Sequence, residues 1–374
     1  MSRERHGNQY IGLMSGTSMD GVDAVLVTFH NDSGIEAEHL ESNPYPADLK
    51  QKLERLSDNQ GTPDELAQAD MAVGRCFADT ANRLLDRINL SPEVVSAIGS
   101  HGQTIRHGAS QQPPFTLQIG NPALIAELTG IDTVADFRAR DIAAGGQGAP
   151  LAPAFHEWCF SREGESRAIV NIGGMANITW LPGNNDPVTG FDTGPGNRLA
   201  DMWCQKHLQR DFDTNGDWAA SGILLSDLYE ALLRDEFFTL GGPRSTGREL
   251  FNGQWLDEKL TTSNRDNDRP EDVQHTLFAL TAETITRGIL ENGRPDSVYV
   301  CGGGAFNGLL MRMLRDRLAP AKVTTTAALG LNPQCVEGAA FAWLARQYHQ
   351  GEACDLSRIT GARGPRILGA CYPA

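Results

Sequence analysis

The sequence predicts an α/β fold in two lobes, and three observations carry that prediction. Its 374 residues exceed the roughly 250–300 at which one hydrophobic core stops growing. Apolar β-type runs alternate with segments of helical periodicity along most of the chain. The plan of apolar run, glycine-rich tip and second apolar run occurs twice, at residues 10–27 and again at 168–181. Two lobes imply a cleft between them, and the repeated hairpin hints at two homologous lobes.

The elements follow in order. Residues 10–14 and 22–27 read as the arms of a first β-hairpin with a polar tip. Thr62, Pro63 and Glu65 combine an N-cap, a proline at the first helical position and a reciprocal carboxylate. Leu66, Val73, Phe77, Leu84 and Ile88 then follow at helical spacing. Strands are predicted at 94–99, 115–119, 133–135, 169–172 and 297–301. A helix over 271–290 turns Val273, Leu277, Leu280, Thr284 and Ile289 inward and stops at Gly293, and another runs over 333–348. The stretch 209–270 is the least patterned, and Gly241, Gly242, Pro243 and the polar run 261–268 predict long, mobile surface loops. The expected division is an N-terminal lobe of residues 1–135, completed by 355–374, and a C-terminal lobe of 136–354.

Composition excludes several function classes. With 40% hydrophobic and 21% charged residues the chain is that of an ordinary folded protein rather than a disordered one. A net charge of -15 is the wrong sign for tracking a nucleic-acid backbone or an anionic membrane. The five lysines, Lys50, Lys52, Lys206, Lys259 and Lys322, include none in a P-loop arrangement, so any phosphate must be held another way. Seven scattered cysteines without a C-x-x-C pair argue against a disulfide framework and a structural zinc site and for a reducing cytoplasm. No H-x-x-x-H pair suggests a catalytic zinc, and no G-x-S-x-G elbow is present. The polar residues 1–9 carry no apolar leader, and no run nears the ~18 apolar residues of a membrane span, so export and insertion are not expected.

Glycine is clustered where chemistry is expected. In the first hairpin tip Gly16 and Gly21 let backbone N–H groups approach an anion, while Ser15, Thr17 and Ser18 add hydroxyls. Asp20 and Asp23 beside them read equally as holders of a hydrated Mg²⁺ and as hairpin-turn residues. Asp192 opens a second loop, GFDTGPGN at 190–197, that leads into a helix near Arg198, a ready anion site. There a carboxylate can accept a proton from an attacking hydroxyl or water, or it can shape the loop as an Asx-turn. Gly302, Gly303 and Gly304 follow a strand and precede a helix, as a nucleotide loop would. Asn307 occupies the third glycine position of a dinucleotide fingerprint, which sets aside an NAD enzyme.

Four further side chains are weighed for the substrate. His101 and Gln103 after a strand suit a polyol or sugar, against the alternative of a solvated loop. Arg138 and Arg140 suit an anion clamp, against a salt-bridge cluster between the lobes. Glu337 faces a ligand or merely solvates a helix made compact by Gly338, Ala339 and Ala340.

Seven motifs in one order resemble the anhydro-N-acetylmuramic acid kinase family of the hexokinase, Hsp70 and actin superfamily. They are MSGTSMDGVD (14–23), SHGQT (100–104), DFR (136–138), GGQGAPL (145–151), NIGGMANI (171–178), FDTGPGN (191–197) and CGGGAFN (301–307). The resemblance covers nearly the whole chain and implies a two-lobed actin-like ATPase fold with a duplicated mixed-sheet core and an interlobe cleft. It implies that Gly16, Thr17, Ser18, Met19, Asp20, Gly21, Val22 and Asp23 form the first phosphate loop, with Asp20 toward the metal directly or through water. Asn171, Gly173 and Gly174 would form the second, with Gly194, Gly196 and Asn197 beside it and Gly302, Gly303, Gly304 and Asn307 near the adenosine. Asp192 becomes the catalytic base, Mg-ATP the donor, and His101, Gln103, Arg138 and Glu337 candidate substrate contacts. The implied substrate is 1,6-anhydro-N-acetylmuramic acid from cell-wall recycling, the product N-acetylmuramic acid 6-phosphate, and the assembly a homodimer. Against this stand a same-fold kinase of an ordinary sugar or polyol and a nucleotide-gated binding module.

Overall fold

The computed structural model describes residues 7–16, 18–30, 34–240, 250–263, 265 and 268–374. Its contacts divide the chain into a first unit, Met1–Cys159 with Gly330–Ala374, and a second, Phe160–Leu329.

The first unit opens with an antiparallel meander of β1 (Gln9–Met14), β2 (Gly21–Phe29) and β3 (Ile35–Pro44). Helices α1 (Ala47–Ser57) and α2 (Pro63–Ile88) follow, then β4 (Val95–Ser100) parallel to β1. Next come the separate hairpin β5 (Gln103–Gly108) and β6 (Phe115–Ile119), α3 (Pro122–Thr129) and β7 (Thr133–Ala135) parallel to β4. Helices α4 (Phe137–Ala143) and α5 (Ala152–Phe160) close this segment. The start of α2 is fixed as its sequence dictates: Thr62 Oγ1 accepts from Glu65 N–H at 3.2 Å and Glu65 Oε2 accepts from Thr62 N–H at 2.8 Å. Its stripe of Val73, Phe77 and Leu84 is buried with Leu13 and Ile98 of the sheet.

The second unit repeats the meander with β8 (Arg167–Ile172), β9 (Met175–Leu181) and β10 (Thr189–Pro195). Helices α6 (Arg198–Leu208), α7 (Asp217–Ala220), α8 (Ser226–Leu233), α9 (Gly253–Thr262) and α10 (Pro270–Asn292) come next. Strand β11 (Ser297–Cys301) lies parallel to β8, and after α11 (Gly308–Leu318) β12 (Lys322–Thr325) lies parallel to β11. The five inward residues predicted for the 271–290 helix are all buried in α10. The chain then rejoins the first unit with α12 (Val336–Gln350) and β13 (Ala370–Tyr372), which pairs with β7.

The sheets run β3-β2-β1-β4-β7-β13 and β10-β9-β8-β11-β12. Five strands therefore repeat the same order and sense, which is the duplicated mixed-sheet core expected of the actin-like ATPase fold.

Two expectations differ from the structure. The lobe boundaries fall at 159/160 and 329/330, so residues 136–159 and 330–354 join the first unit rather than the second. Backbone approach explains this for α12: a Cβ on Gly12 would lie 1.7 Å from Gly338 O, and one on Gly99 2.0 Å from Phe341 O. Missing side chains thus let the helix lie directly on β1 and β4. Residues 209–240 and 250–263 hold the short helices α7, α8 and α9 in place of long loops, and Leu228, Leu232, Trp255 and Leu260 of these helices enter the second core with Phe251. Helices of two or three turns show too few periods to stand out in sequence. Gly241, Gly242 and Pro243 lie outside the described residues.

Candidate active site

In the first unit the β1–β2 connection is a compact turn. Met19 adopts φ +56° and donates its N–H to Gly16 O at 3.2 Å, while its side chain is buried in the core. Asp20 O accepts from Tyr45 N–H at 3.0 Å. Gly21 abuts β3, where a Cβ would lie 2.3 Å from Asn43 O, and Val22 is buried beside it. These contacts leave Gly16 half-buried and Ser18 and Asp20 exposed at the tip. Thr17 lies outside the described residues.

A polar network braces this turn from beneath. Ser15 Oγ lies 2.6 Å from Gly21 O and 2.7 Å from Gln103 Oε1, and Tyr45 donates its hydroxyl to it at 3.1 Å. Gln103 Nε2 donates to Gly16 O at 3.2 Å. Gln103 is fully buried, so its amide shapes the β1–β2 turn. Next to it, Arg138 Nε donates to His101 Nε2 at 2.9 Å and Nη1 donates to Gly148 O at 2.8 Å. Burial first and the Arg138 charge second hold the His101 imidazolium well below its usual pKa, so the ring is neutral. Because Nε2 accepts, Nδ1 carries the proton, and backbone hydrogen bonds at Gly102 and Ser15 favour it there, while Ser100 Oγ is buried with no hydrogen-bond partner among the described residues. An orphaned buried hydroxyl beside the ring suits a polar ligand.

Glu337 stands half-buried in the first turn of α12. That helix start lies near the meander, since the Asp23 carboxylate adds to the burial that pushes the Cys335 thiol up to about 11. Arg140 of α4 is exposed. Motif GGQGAPL is gathered around Asp141, whose carboxylate accepts from Gly148 N–H at 2.7 Å and Thr360 hydroxyl at 2.9 Å.

In the second unit the corresponding turn, Gly173 and Gly174, is tied down by backbone. Asn197 N–H donates to Gly173 O at 2.9 Å, and Gly196 and Arg198 N–H donate to Gly174 O at 2.9 and 3.2 Å. A Cβ on Gly196 would lie 2.4 Å from Gly173 O. Thr281 of α10 secures the end of β10, its hydroxyl 3.0 Å from Pro195 O and 2.9 Å from Gly196 O. Asn197 Nδ2 donates to Ile172 O at 3.3 Å.

The 302–304 glycines close on the same strand end. Gly302 has φ +77°, and a Cβ there would lie 2.5 Å from Asn171 Oδ1; on Gly304 it would lie 2.4 Å from Ile172 Cγ2. Gly303 is exposed. Asn171 Oδ1 is buried without a partner among the described residues. Asn307 is the N-cap of α11, its Oδ1 accepting from Leu310 N–H at 3.0 Å, which is a structural use of that side chain.

Asp192 is half-buried and lies within β10 rather than in a loop. It pairs with Asn177, and the register shifts between Asp192 and Gly194. This bulge re-aims the strand just before the glycines that lead to α6, an arrangement often found beside active sites. Gly194, with φ +138°, supplies the conformation. The structure thus brings Asn171, Gly173, Gly174, Gly194, Gly196, Asn197, Gly302, Gly303 and Gly304 together around one strand end.

Sequence reasoning missed Lys50 and the bracing role of Ser15 and Tyr45. Lys50 Nζ pairs with Asp20 Oδ1 at 2.5 Å, placing a cation beside the β1–β2 turn. It comes from α1 and is separated by 30 residues from its partner, so no local spacing exposes it.

The family model described as anhydro-N-acetylmuramic acid kinase matches residues 8–374. An anhydro-N-acetylmuramic acid kinase of Shewanella pealeana is 48% identical over 371 residues, 99% of this chain and all of that protein. One of Shewanella baltica is 50% identical over 367 residues, 98% of each chain. Among solved structures, the activator of the 2-hydroxyisocaproyl-CoA dehydratase from Clostridium difficile with bound ADPNP aligns over 92% of this chain and 97% of its own, at 14% identity and a TM-score of 0.45.

Proposed function

The chain belongs to the anhydro-N-acetylmuramic acid kinase family, and from that premise we propose how its residues divide the work. The activity is an ATP-dependent phosphorylation of that amino sugar in cell-wall recycling. Its chemical difficulty is that the sugar's 6-oxygen is locked in an intramolecular ether and has no proton to lose.

Asp192 acts as the base. Its carboxylate takes a proton from a water whose oxygen bonds to the anomeric carbon. The bond from that carbon to the 6-oxygen breaks, the 6-oxygen takes the γ-phosphoryl group, and ADP leaves. One carboxylate thereby serves ring opening and phosphorylation. The observation that carries this reading is the β10 bulge at Asp192, which leads directly into the glycine-lined strand end around Asn171.

The turns at Gly16 to Asp23 and at Gly173 and Gly174 receive the phosphates through backbone N–H groups other than those of Met19 and Gly173, which are engaged within the turns, a task that needs no P-loop lysine. Gly194, Gly196, Asn197 and the 302–304 glycines line the nucleotide region, with the unpartnered Asn171 Oδ1 offering an acceptor. His101 and the Ser100 hydroxyl offer polar contacts to the sugar, with Arg138 fixing the tautomer and Gln103 acting as a positioning residue for the turn. Glu337, at the start of α12, contacts the sugar from the neighbouring helix.

The residues present fit Mg²⁺: Asp20 is an exposed hard-oxygen donor with one oxygen engaged by Lys50, so holding the ion through water preserves that pair. When bound, Mg²⁺ supplies charge neutralisation on the phosphates. All seven cysteines are free thiols, which supports a cytoplasmic location. Among the described residues no helix is long and apolar enough to cross a membrane. A homodimer is the proposed assembly, measurable by light scattering.

The test is incubation with Mg-ATP and 1,6-anhydro-N-acetylmuramic acid in ¹⁸O-water. ADP together with a ring-opened, phosphorylated sugar carrying ¹⁸O at the anomeric carbon is expected. A phosphorylated product without the label would overturn the water-attack mechanism, and sugar-independent ATP hydrolysis alone would favour a nucleotide-gated module.

A further inference from the structure

We propose that Asp132, His349 and Cys371 form a zinc-type divalent metal site in the first unit, on the far-separated sequence segments that meet at β7 and β13. The carboxylate, imidazole and thiol ligand atoms all lie within 4.8 Å of one another. A tetrahedral zinc with bonds of about 2.0–2.3 Å needs its ligands about 3.5 Å apart, within reach of small side-chain rotations from this arrangement. One soft sulfur, one imidazole and one carboxylate are the donors that suit zinc, whereas magnesium takes an all-oxygen set.

The fold fixes each donor from a different element. Asp132 directly precedes β7, and its Oδ1 accepts from the Ala374 N–H at 3.0 Å, a bond that orients the carboxylate and leaves its second oxygen for a metal. His349 stands in the last turn of α12, its ring edge-on to Tyr10 at 6.0 Å. Cys371 is the middle residue of β13, opposite Val134. Neither a C-x-x-C pair nor an H-x-x-x-H pair announces this set, because the three residues are assembled by strand pairing and not by local spacing. Three protein ligands leave a fourth position for water.

The consequence is mechanical. Strand β13 is a three-residue edge strand, too short to hold strongly by its own ladder. A metal would staple it to the end of α12 and the start of β7. Binding deprotonates Cys371, and the proton passes to the buffer.

The experiment is a Co²⁺ titration of the reduced full-length protein, read by thiolate-to-cobalt charge-transfer absorption, followed by Zn²⁺ displacement. The wild type should show the band, Cys371→Ser should lose it, and His349→Ala and Asp132→Asn should each weaken binding at least tenfold. With free Zn²⁺ at 100 times Kd, amide exchange from residues 370–372 through metal-releasing openings should slow about 100-fold. Circular dichroism and metal-independent folding of each variant guard against a merely unfolded chain. No band in the wild type overturns the site. So does a band that survives Cys371→Ser, which assigns it to another thiol, or an affinity unmoved by both His349→Ala and Asp132→Asn, which leaves an ordinary surface thiol.

Discussion

The two units build the same five-stranded order but secure their hairpin turns by different means. In the first, side chains do it: Ser15, Gln103 and Tyr45 brace the turn between β1 and β2. In the second, backbone does it: the N–H groups of Gly196, Asn197 and Arg198 clasp the carbonyls of Gly173 and Gly174. A side-chain brace tolerates added bulk at the tip, since a Cβ on Gly16 would find its nearest neighbour, Ser18 Oγ, at 3.8 Å. A backbone clasp confines the glycine that makes it: a Cβ on Gly196 would lie 2.4 Å from Gly173 O, although one on Gly173 at the tip would find only Met175 O at 3.7 Å. Duplication of a fold therefore keeps the strand order and leaves the means of anchoring a hairpin turn free to diverge.

The largest expected effect bears on what only the second unit carries. Asp192→Asn should reduce kcat by about 10²–10⁴-fold while ATP affinity, read by calorimetry, stays within a few-fold. A rate near that of the wild type would remove Asp192 from the chemistry.

Next comes a paired glycine test of the anchoring contrast. Gly196→Ala places a Cβ 2.4 Å from Gly173 O and 3.0 Å from Met175 C, and should cost about 1–3 kcal/mol of stability and weaken nucleotide binding. Gly16→Ala should change stability by less than about 0.5 kcal/mol. Equal losses in urea unfolding would erase the distinction between the turns. Conversely, Gln103→Leu attacks the brace itself: it removes the bonds to Ser15 Oγ and Gly16 O, each of which keeps another partner, and a loss of about 0.5–1.5 kcal/mol with a raised KM for ATP is expected. A loss of stability at unchanged KM would make Gln103 a core residue with no bearing on the phosphate turn.

This contrast also explains what the sequence made legible. Helix α2 was readable because its capping box and apolar stripe are local, and β6, β7 and β11 match their predicted ends because turn residues bound them closely. The glycine motifs marked tight turns at the strand ends because close backbone approach demands glycine itself. What stayed hidden depends on distant partners. Lys50 reaches Asp20 only through the placement of α1, and α12 belongs to the first unit only because Gly12, Gly99 and Gly338 meet. Asp192 read as a loop residue because FDTGPGN is rich in turn formers, yet pairing with β9 holds it in a strand. Local propensity yields to tertiary pairing there.

Acid should separate the units as well. The first holds two buried histidines whose charged forms burial disfavours: His101, and His156, whose pKa is pushed down to about 3. The second holds His207, lowered by burial and Lys206 but exposed, where solvent screens the effect. An unfolded histidine takes up its proton near pH 6.5, whereas folded His156 stays neutral until about pH 3. Between those values the unfolded state binds the extra proton, so stability falls as pH falls, by about 1.4 kcal/mol per pH unit for each such histidine. Urea unfolding of the wild type from pH 7 to pH 4 should show this slope, and His156→Leu should remove about one proton's worth of it. Hydrogen exchange should locate the loss in β1 and β4 rather than in β8 and β11. A variant with an unaltered slope would mean that His156 is reached by solvent before the unit unfolds, and the acid asymmetry between the two cores would then rest on His101 alone.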